Sequence, residues 1–174
     1  IYFGEKKEMN DKGVASDLCT YSKEEILRVA HLAFKAAGKR KNKLTLVDKA
    51  NVLASSRLWR SVVTDLHSSE YKDVELDFLF VDNAAMQMVL NPAQFDVILT
   101  GNLFGDIISD EASVIGGSIG LLASASIGTR YAMIDPIHGS FPQGKGKGIA
   151  NPTATILSAA MIHEHFYMIS EANA

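Results

Sequence analysis

The chain has 174 residues, of which 47% are hydrophobic and 21% charged, a composition that supports a buried core and excludes an intrinsically disordered protein. Its formal net charge of -3 argues against nucleic-acid binding by bulk electrostatics, and no apolar run approaches the roughly 18 residues of a membrane span. A single cysteine, Cys19, excludes an internal disulfide and is typical of a reducing compartment, so we expect a cytoplasmic protein. Because the chain opens on Ile1 within an apolar run, we expect it to be a piece of a longer protein.

The first part of the chain predicts an irregular segment followed by helices and a strand. Residues 5–20 are polar and lack a clean period, which indicates a loop or an extended arm. A capping box opens at Ser22, and apolar residues at helical spacing predict a helix that ends at Gly38. The alternating segment 43–48 predicts a strand, and a second helix is expected over 54–67.

The middle of the chain predicts two further strands, each followed by a helix. Residues 74–81 indicate a strand, and residues 83–90 a short helix. The nearly continuous apolar run 95–99 is typical of a strand buried on both faces. After a turn over 100–105, a helix is expected from about 106 to 115.

The last part of the chain is rich in small residues and glycine. We expect a loop over 116–128, a short strand at 131–134, a Gly-rich loop over 135–151 and a final helix from 151 to about 168. Strands that alternate with helices indicate an α/β fold with at least a partly parallel sheet.

Three aspartates form a possible metal site. Asp106 and Asp110 lie four residues apart, so a helix places both carboxylates on one face, about 5–6 Å apart at Cβ. Oxygen ligands of this kind suit Mg²⁺ or Mn²⁺, and Asp82, at the end of a predicted strand, is a third candidate. From the residues alone, helix capping by Asp106 or Asp82 stays open, as does a solvated acidic face that includes Glu111.

Three other features are ambiguous without further context. Lys49 follows a predicted strand and could carry a proton or anchor an anion, or it could be a surface lysine beside Asp48. The Gly-rich loop between His138 and Asn151 precedes a helix and suits a phosphate or nucleotide, although surface loops share that composition. Tyr2 in an apolar segment is by itself typical of packing.

Several longer motifs occur in order along the chain. They are Ile1-Tyr-Phe-Gly-Glu5, Val47-Asp-Lys-Ala-Asn-Val52, Val81-Asp-Asn-Ala-Ala-Met86, Thr100-Gly-Asn-Leu-Phe-Gly-Asp-Ile-Ile-Ser-Asp110, Ser124-Ala-Ser-Ile-Gly128 and Gly148-Ile-Ala-Asn-Pro-Thr153. Together they resemble the β-decarboxylating dehydrogenases of the isocitrate/isopropylmalate dehydrogenase family, and their residues are more similar to those of the isopropylmalate branch.

The resemblance implies a truncated piece of that family's α/β fold, with a mixed parallel sheet and flanking helices. A dimer-forming substrate and metal domain is expected over 1–118, including an intersubunit arm over about 1–21, and a fragment of the cofactor-binding domain over 119–174. The substrate-binding arginines of the family would lie upstream of Ile1. The active site would be shared across the subunits of a homodimer.

The resemblance also implies a reaction: NAD-dependent oxidative decarboxylation of the 2-hydroxy acid 3-isopropylmalate to 4-methyl-2-oxopentanoate and CO₂, in leucine biosynthesis. Mg²⁺ or Mn²⁺ would be held by Asp106 and Asp110, joined by Asp82 of the partner subunit. Lys49, also contributed by the partner subunit, matches the base that removes the hydroxyl proton, and Tyr2 matches the residue that protonates the enolate carbon. The same chemistry on tartrate, malate, isocitrate or homoisocitrate, and a non-catalytic dimerisation module, are alternatives.

The resemblance assigns the cofactor contacts as well. Asn51 matches a residue near the substrate and the nicotinamide, and the loop around the adenosine half of NAD matches His138, Gly139, Ser140 and Asn151. The chain departs from the family pattern at Ala123, Asp135 and Gln143. Gln143 stands where many members have an acid that contacts the adenosine ribose, which bears on the preference between NAD and NADP.

Overall fold

A computed structural model describes residues 4–165 of the chain, apart from the side chain of His165. Two compact units divide the chain after Ser109. The elements in chain order are β1 (Lys6–Lys7), β2 (Ser16–Asp17), α1 (Lys23–Gly38), β3 (Lys43–Asp48), α2 (Ala54–Glu70), β4 (Glu75–Phe80), α3 (Val81–Leu90), β5 (Val97–Thr100), α4 (Asn102–Ser113), β6 (Ala123–Ile127), β7 (Ala132–Pro136) and α5 (Thr153–His165). This order confirms the predicted α/β class. The division near residue 118 into a dimer-forming and a cofactor-binding region stays a prediction.

A three-stranded parallel sheet forms the centre of the first unit, in the order β4-β3-β5. The central strand β3 is buried at five consecutive positions, whereas β5 lies at the edge and only Leu99 is fully buried there. The expectation that the apolar run 95–99 is the strand buried on both faces is therefore wrong. Burial depends on having a neighbouring strand on each side, which β3 has and β5 lacks, although α1 packs on both strands.

Helices α1 and α2 enclose the main hydrophobic core of the first unit. They pack on each other and on β3, and the core cluster includes Ile26, Phe34, Leu46 and Val63. Helix α1 begins with the predicted capping box: the Ser22 hydroxyl accepts the Glu25 N–H at 3.2 Å, and the Glu25 carboxylate accepts the Ser22 N–H at 2.7 Å. Residues 5–20, predicted as a loop or arm, contain the short exposed antiparallel pair β1–β2.

Helix α4 begins at Asn102, four residues before the predicted start, and this places Asp106 inside the helix. The interpretation of Asp106 as an N-cap is therefore wrong. The cap comes from elsewhere in the chain, because the Tyr21 hydroxyl accepts the Asn102 N–H at 2.9 Å. Gly101 allows this approach, since a Cβ there would lie 3.2 Å from the Tyr21 hydroxyl oxygen. A cap supplied 81 residues away leaves no local signal in the sequence.

The second unit contains an antiparallel pair, β6 and β7, on which α5 packs. The expectation of a loop over 116–128 is wrong for residues 123–127, which form β6. Its Ala-Ser-Ala-Ser composition has little intrinsic strand preference, so the strand depends on pairing with β7. The predicted end of the last helix and the predicted site residue Tyr2 lie outside the described residues. Across residues 4–165, no helix combines the length and hydrophobicity needed to cross a membrane.

Asp96 ties the turn between α1 and β3 to the start of β5. Its carboxylate, 1% exposed, accepts hydrogen bonds from Arg40 Nε at 2.8 Å and from the Lys41 N–H at 2.9 Å. Burial alone would raise the pKa of this carboxyl, but the Arg40 and Lys41 donors outweigh it and hold the pKa below the ordinary value of 3.8.

We expect Asp96→Asn to lower the thermal stability of the chain near neutral pH. Because the folded-state pKa is depressed, the contribution of Asp96 is present above pH 3.8 and is lost as the pH falls through the lower folded value. Thermal unfolding of both proteins by circular dichroism from neutral to acid pH measures this. The difference in Tm should shrink toward acid pH, and a difference that is constant across the range would contradict the assignment.

Candidate active site at the ends of the parallel strands

Strands β3 and β4 bring two of the predicted site residues to one edge of the sheet. The two strands are parallel and pair in register, with Asp48 opposite Phe80, so the residues that follow them leave the sheet together. Lys49 follows β3 directly, and Asp82 is the second residue of α3. The Lys49 ammonium donates a hydrogen bond to Asp82 Oδ1 at 2.6 Å. Asp82 lies close to the end of β4, as predicted, but it belongs to the first turn of α3 rather than to the strand.

The Lys49–Asp82 pair lies at the surface, with the carboxylate open to solvent. The side chain of Lys49 is 25% exposed and that of Asp82 67%. The hydrogen bond from Lys49 lowers the pKa of Asp82, and backbone N–H groups of the first turn of α3 act in the same direction. Asp82 is therefore a carboxylate that stays charged and offers oxygen atoms to a ligand from outside.

A buried ion pair lies next to this site. The Asp48 carboxylate, 3% exposed, accepts two hydrogen bonds from Arg60 of α2, from Nε at 2.9 Å and from Nη2 at 3.0 Å. Asp48 Oδ1 also accepts the Ala50 N–H at 2.8 Å. From the sequence, Asp48 was recognised only as the neighbour of Lys49, and Arg60 was missed. The one available signal was an aspartate at the end of an apolar strand, a position that requires a partner when buried.

Asn51 lies in the turn that follows Lys49, which places it beside the charged pair along the chain; its predicted place near the substrate and the nicotinamide stays a prediction. The carbonyl of Lys49 accepts the N–H groups of Val52 at 2.9 Å and Leu53 at 2.8 Å. Arg57 Nη1 donates to the carbonyls of Ala50 at 3.1 Å and Val52 at 3.3 Å, and Asn51 itself is exposed. The turn is held by its backbone, which leaves the Asn51 side chain at the surface.

The other two predicted metal ligands lie on α4. Asp106 and Asp110 are both exposed and four residues apart in this helix, as the spacing predicted. Within residues 4–165, no group of three carboxylate, histidine or cysteine side chains could hold a metal ion. The chain by itself therefore does not bring Asp82 to Asp106 and Asp110. The expectation that Asp82 comes from a second subunit stays a prediction.

The predicted cofactor residues lie in the second unit, on the loop that leads into α5. His138, Gly139, Ser140 and Asn151 are all exposed, and Gln143 lies in the same loop. The Asn151 side-chain oxygen accepts the Thr153 N–H at 3.0 Å and the Thr153 hydroxyl at 2.7 Å, so it caps the first turn of the helix. Capping is a structural role that the sequence analysis did not assign to Asn151. The N-terminus that it orders is the end of a helix that favours anions.

A cavity of about 200 Å³ lies in the first unit behind the Lys49 turn. Its lining includes Tyr21, Val47, Trp59 and Phe104, whereas Lys49 and Asp82 do not line it. The charged pair therefore faces solvent at the end of the sheet rather than this apolar space.

Comparisons with known proteins identify the family of the chain. The family model for isocitrate/isopropylmalate dehydrogenase matches residues 1–174. The 3-isopropylmalate dehydrogenase of Clostridium pasteurianum is 58% identical over 99% of this chain and 49% of its own length, and that of Aquifex aeolicus is 53% identical over 99% and 48%. The chain thus spans about half the length of the curated relatives it matches.

Solved structures give the same answer for the fold. The isocitrate dehydrogenase of Methylococcus capsulatus superposes with a TM-score of 0.89 at 39% identity, covering 99% of this chain and 52% of that one. A β-decarboxylating dehydrogenase from Thermococcus kodakarensis gives 0.84 at 39% identity, covering 94% and 48%. Sequence and fold agree, and the chain belongs to the isocitrate/isopropylmalate dehydrogenase family.

Proposed function

We propose that this chain carries part of the active site of an NAD-dependent 3-isopropylmalate dehydrogenase of leucine biosynthesis. The observation that carries the proposal is the contact between Lys49 and Asp82 at the carboxyl end of the parallel strands, where α/β proteins bind ligands. The names of the relatives at 53% to 58% identity support the substrate. An exposed free Cys19 suits a reducing, cytoplasmic compartment.

In the proposed reaction, the C2 hydroxyl of the 2-hydroxy acid loses its proton to Lys49 while its C2 hydride passes to NAD⁺. The bond to the β-carboxylate then breaks, CO₂ leaves, and the bonding electrons remain on the substrate as an enolate. Tyr2, which lies outside the described residues, is proposed to donate the proton to the enolate carbon. As the base, Lys49 acts in its neutral amine form, and its contact with Asp82 fixes the position of Nζ at the sheet edge.

The proposed metal ligands are Asp106 and Asp110, completed by Asp82 of a second copy of the chain. The donor set fits a hard divalent cation, because all three ligands are carboxylates and the two on α4 are exposed on one helix. When bound, Mg²⁺ or Mn²⁺ supplies Lewis-acid stabilisation of negative charge on the substrate oxygens. With two carboxylates on α4, the site needs a further ligand, and the exposed Asp82 is suited to supply it.

The proposed cofactor contacts are Asn51 near the nicotinamide and His138, Gly139, Ser140 and Asn151 around the adenosine. The assignment of the last four residues is supported by their exposure in a loop that leads into the N-terminus of α5. An NAD preference is proposed from the resemblance, and Gln143 makes the comparison with NADP part of the test.

A homodimer is proposed from the apolar surface of α3 and α4. Met86, Val89, Leu90 and Ile107 are between 52% and 73% exposed, which is typical of helices that pack against another subunit. We expect Val89→Asp to shift the chain toward monomer by at least about tenfold in dissociation constant, since the charge would be buried. Sedimentation equilibrium measures this. Leu32→Asp, at an exposed residue of α1 outside the expected arm, is the comparison for a surface charge elsewhere.

The direct test is cofactor reduction by the polypeptide of the full reading frame that contains this chain, with Mg²⁺ and K⁺. The substrates are 3-isopropylmalate, D-malate and isocitrate, each with NAD⁺ and with NADP⁺. Preference for 3-isopropylmalate with NAD⁺ supports the proposal. Preference for isocitrate would favour the second candidate, which the 39% identity to an isocitrate dehydrogenase supports, and no activity on any acid would favour a dimerisation module.

A further inference from the structure

Arg60 contacts both of the strand ends that carry the charged pair. Its guanidinium makes a two-pronged contact with Asp48, the residue before Lys49. Its Cζ also lies 5.0 Å from the ring centre of Phe78 and 5.3 Å from that of Phe80, at the end of β4. A planar guanidinium can form a two-pronged contact with a carboxylate and lie on aromatic rings at the same time, whereas a lysine ammonium cannot form the two-pronged contact.

The contacts of Arg60 continue directly into Lys49 and Asp82. Asp48 Oδ1, which Arg60 holds, also accepts the Ala50 N–H, so the backbone on both sides of Lys49 is restrained. Phe80, on which Arg60 lies, is two residues before Asp82, and its ring centre is 5.9 Å from Lys49 Nζ. One side chain thus restrains the two chain segments that meet in the 2.6 Å contact.

We propose that Arg60 is a positioning residue, which sets the separation of Lys49 and Asp82 by clamping the end of β3 to the end of β4. It acts through Asp48 and Phe80 and does not touch the substrate. The inference rests on the proposed function of Lys49 and Asp82, whereas its structural part, the separation of the two groups, does not depend on the reaction.

The chain offers a matched control at the other end of the same sheet. Arg40 forms an ion pair with Asp96, a carboxylate as deeply buried as Asp48, beside the start of β3 and β5. Arg40→Met therefore removes the same type of interaction, between an arginine and a buried aspartate, far from Lys49. A purely structural role for Arg60 predicts that the two arginine variants behave alike.

The test compares Arg60→Met, Arg60→Lys and Arg40→Met in the enzyme of the full reading frame. We expect Arg60→Met to lower kcat by about 10- to 100-fold with little change in the KM for the hydroxy acid, since misplacement of a catalytic group by about 1 Å has effects of this size. The primary deuterium isotope effect on kcat with C2-deuterated substrate should rise. Arg60→Lys should recover part of kcat, and Arg40→Met should keep the wild-type kcat.

A crystal structure of Arg60→Met gives a readout that does not require turnover. We expect the contact between Lys49 Nζ and Asp82 Oδ1 to be broken, and an unchanged 2.6 Å separation would overturn the inference. A kcat equal to wild type in Arg60→Met, or an equal loss in Arg40→Met, would also overturn it. If Lys49→Met keeps full activity, the proposed function fails instead. If Arg60→Met does not fold, the separation of Lys49 and Asp82 and the kcat are measured in Asp48→Asn and Arg60→Lys instead. An unchanged separation or a wild-type kcat in both would overturn the inference.

Discussion

Replacement of Lys49 by methionine is expected to lower kcat for oxidation of the hydroxy acid by about 10²- to 10⁴-fold, the range that a general base contributes. Methionine keeps an unbranched apolar side chain at this position but has no amine, so it can neither accept the hydroxyl proton nor form the contact of Nζ with Phe80. Stopped-flow measurement of NADH formation at saturating substrate follows the affected step. The KM should change less than kcat, because the loss falls on the transition state.

Lys43→Met is the matched control for this variant. Lys43 begins the strand that Lys49 follows, and it also forms short ion pairs, with Glu75 at 2.9 Å and Asp77 at 2.8 Å. Those pairs hold the pKa of Lys43 above its ordinary value and lie at the opposite end of β3. We expect kcat of the control to equal that of the wild type. A Lys49→Met enzyme with an unreduced rate would return Lys49 to the role of a surface lysine.

Asp106→Ala is expected to remove metal-dependent turnover, with a loss of about 10³-fold or more, the equivalent of several kcal/mol of Lewis-acid stabilisation. The methyl group cannot donate an oxygen ligand, and alanine favours the helix, so α4 should persist. The dimer should also persist, because we propose that it is held by exposed apolar residues such as Ile107, which this substitution leaves unchanged. Activity titrated with Mn²⁺, together with direct Mn²⁺ binding followed by electron paramagnetic resonance, measures the effect.

Asp65→Ala is the comparison for loss of an exposed aspartate from a helix, in this case α2. It should leave both Mn²⁺ affinity and turnover unchanged. Wild-type Mn²⁺ affinity in Asp106→Ala would contradict the metal assignment even if activity fell. Lost Mn²⁺ binding combined with wild-type turnover would show that the reaction proceeds without the proposed ligand.

Local sequence signals predicted those parts of the fold that depend on neighbouring residues. The capping box at Ser22 marked the start of α1, and the period of apolar residues located α2 to within three residues of its end at Glu70. The prediction failed where a distant partner decides the outcome. The start of α4 depends on Tyr21, the depth of β3 on its two neighbouring strands, and β6 on its pairing with β7.

The candidate site follows the same division. Lys49 and Asp82 could be picked out because each follows an apolar strand, and parallel strands place their carboxyl ends at one edge. The hydrogen bond between Lys49 and Asp82 and the ion pair between Asp48 and Arg60 could not be predicted, because each joins two different elements. Asp48 and Arg60 are twelve residues apart in the sequence. The strand register and the position of α2 determine those contacts, and neither is encoded in a short motif.

The long-range cap of α4 has a consequence for the order in which this unit folds. The first turn of α4 gains the acceptor for its Asn102 N–H only when Tyr21 has docked, and this closes a loop of 81 residues. Contacts of such high sequence separation form late, since the entropy of loop closure opposes them until the intervening strands have paired. We therefore expect the helix that bears Asp106 and Asp110 to acquire its final N-terminal turn after the β3 sheet assembles. Protection of the Asn102 amide in pulsed hydrogen exchange should then lag behind that of Leu46.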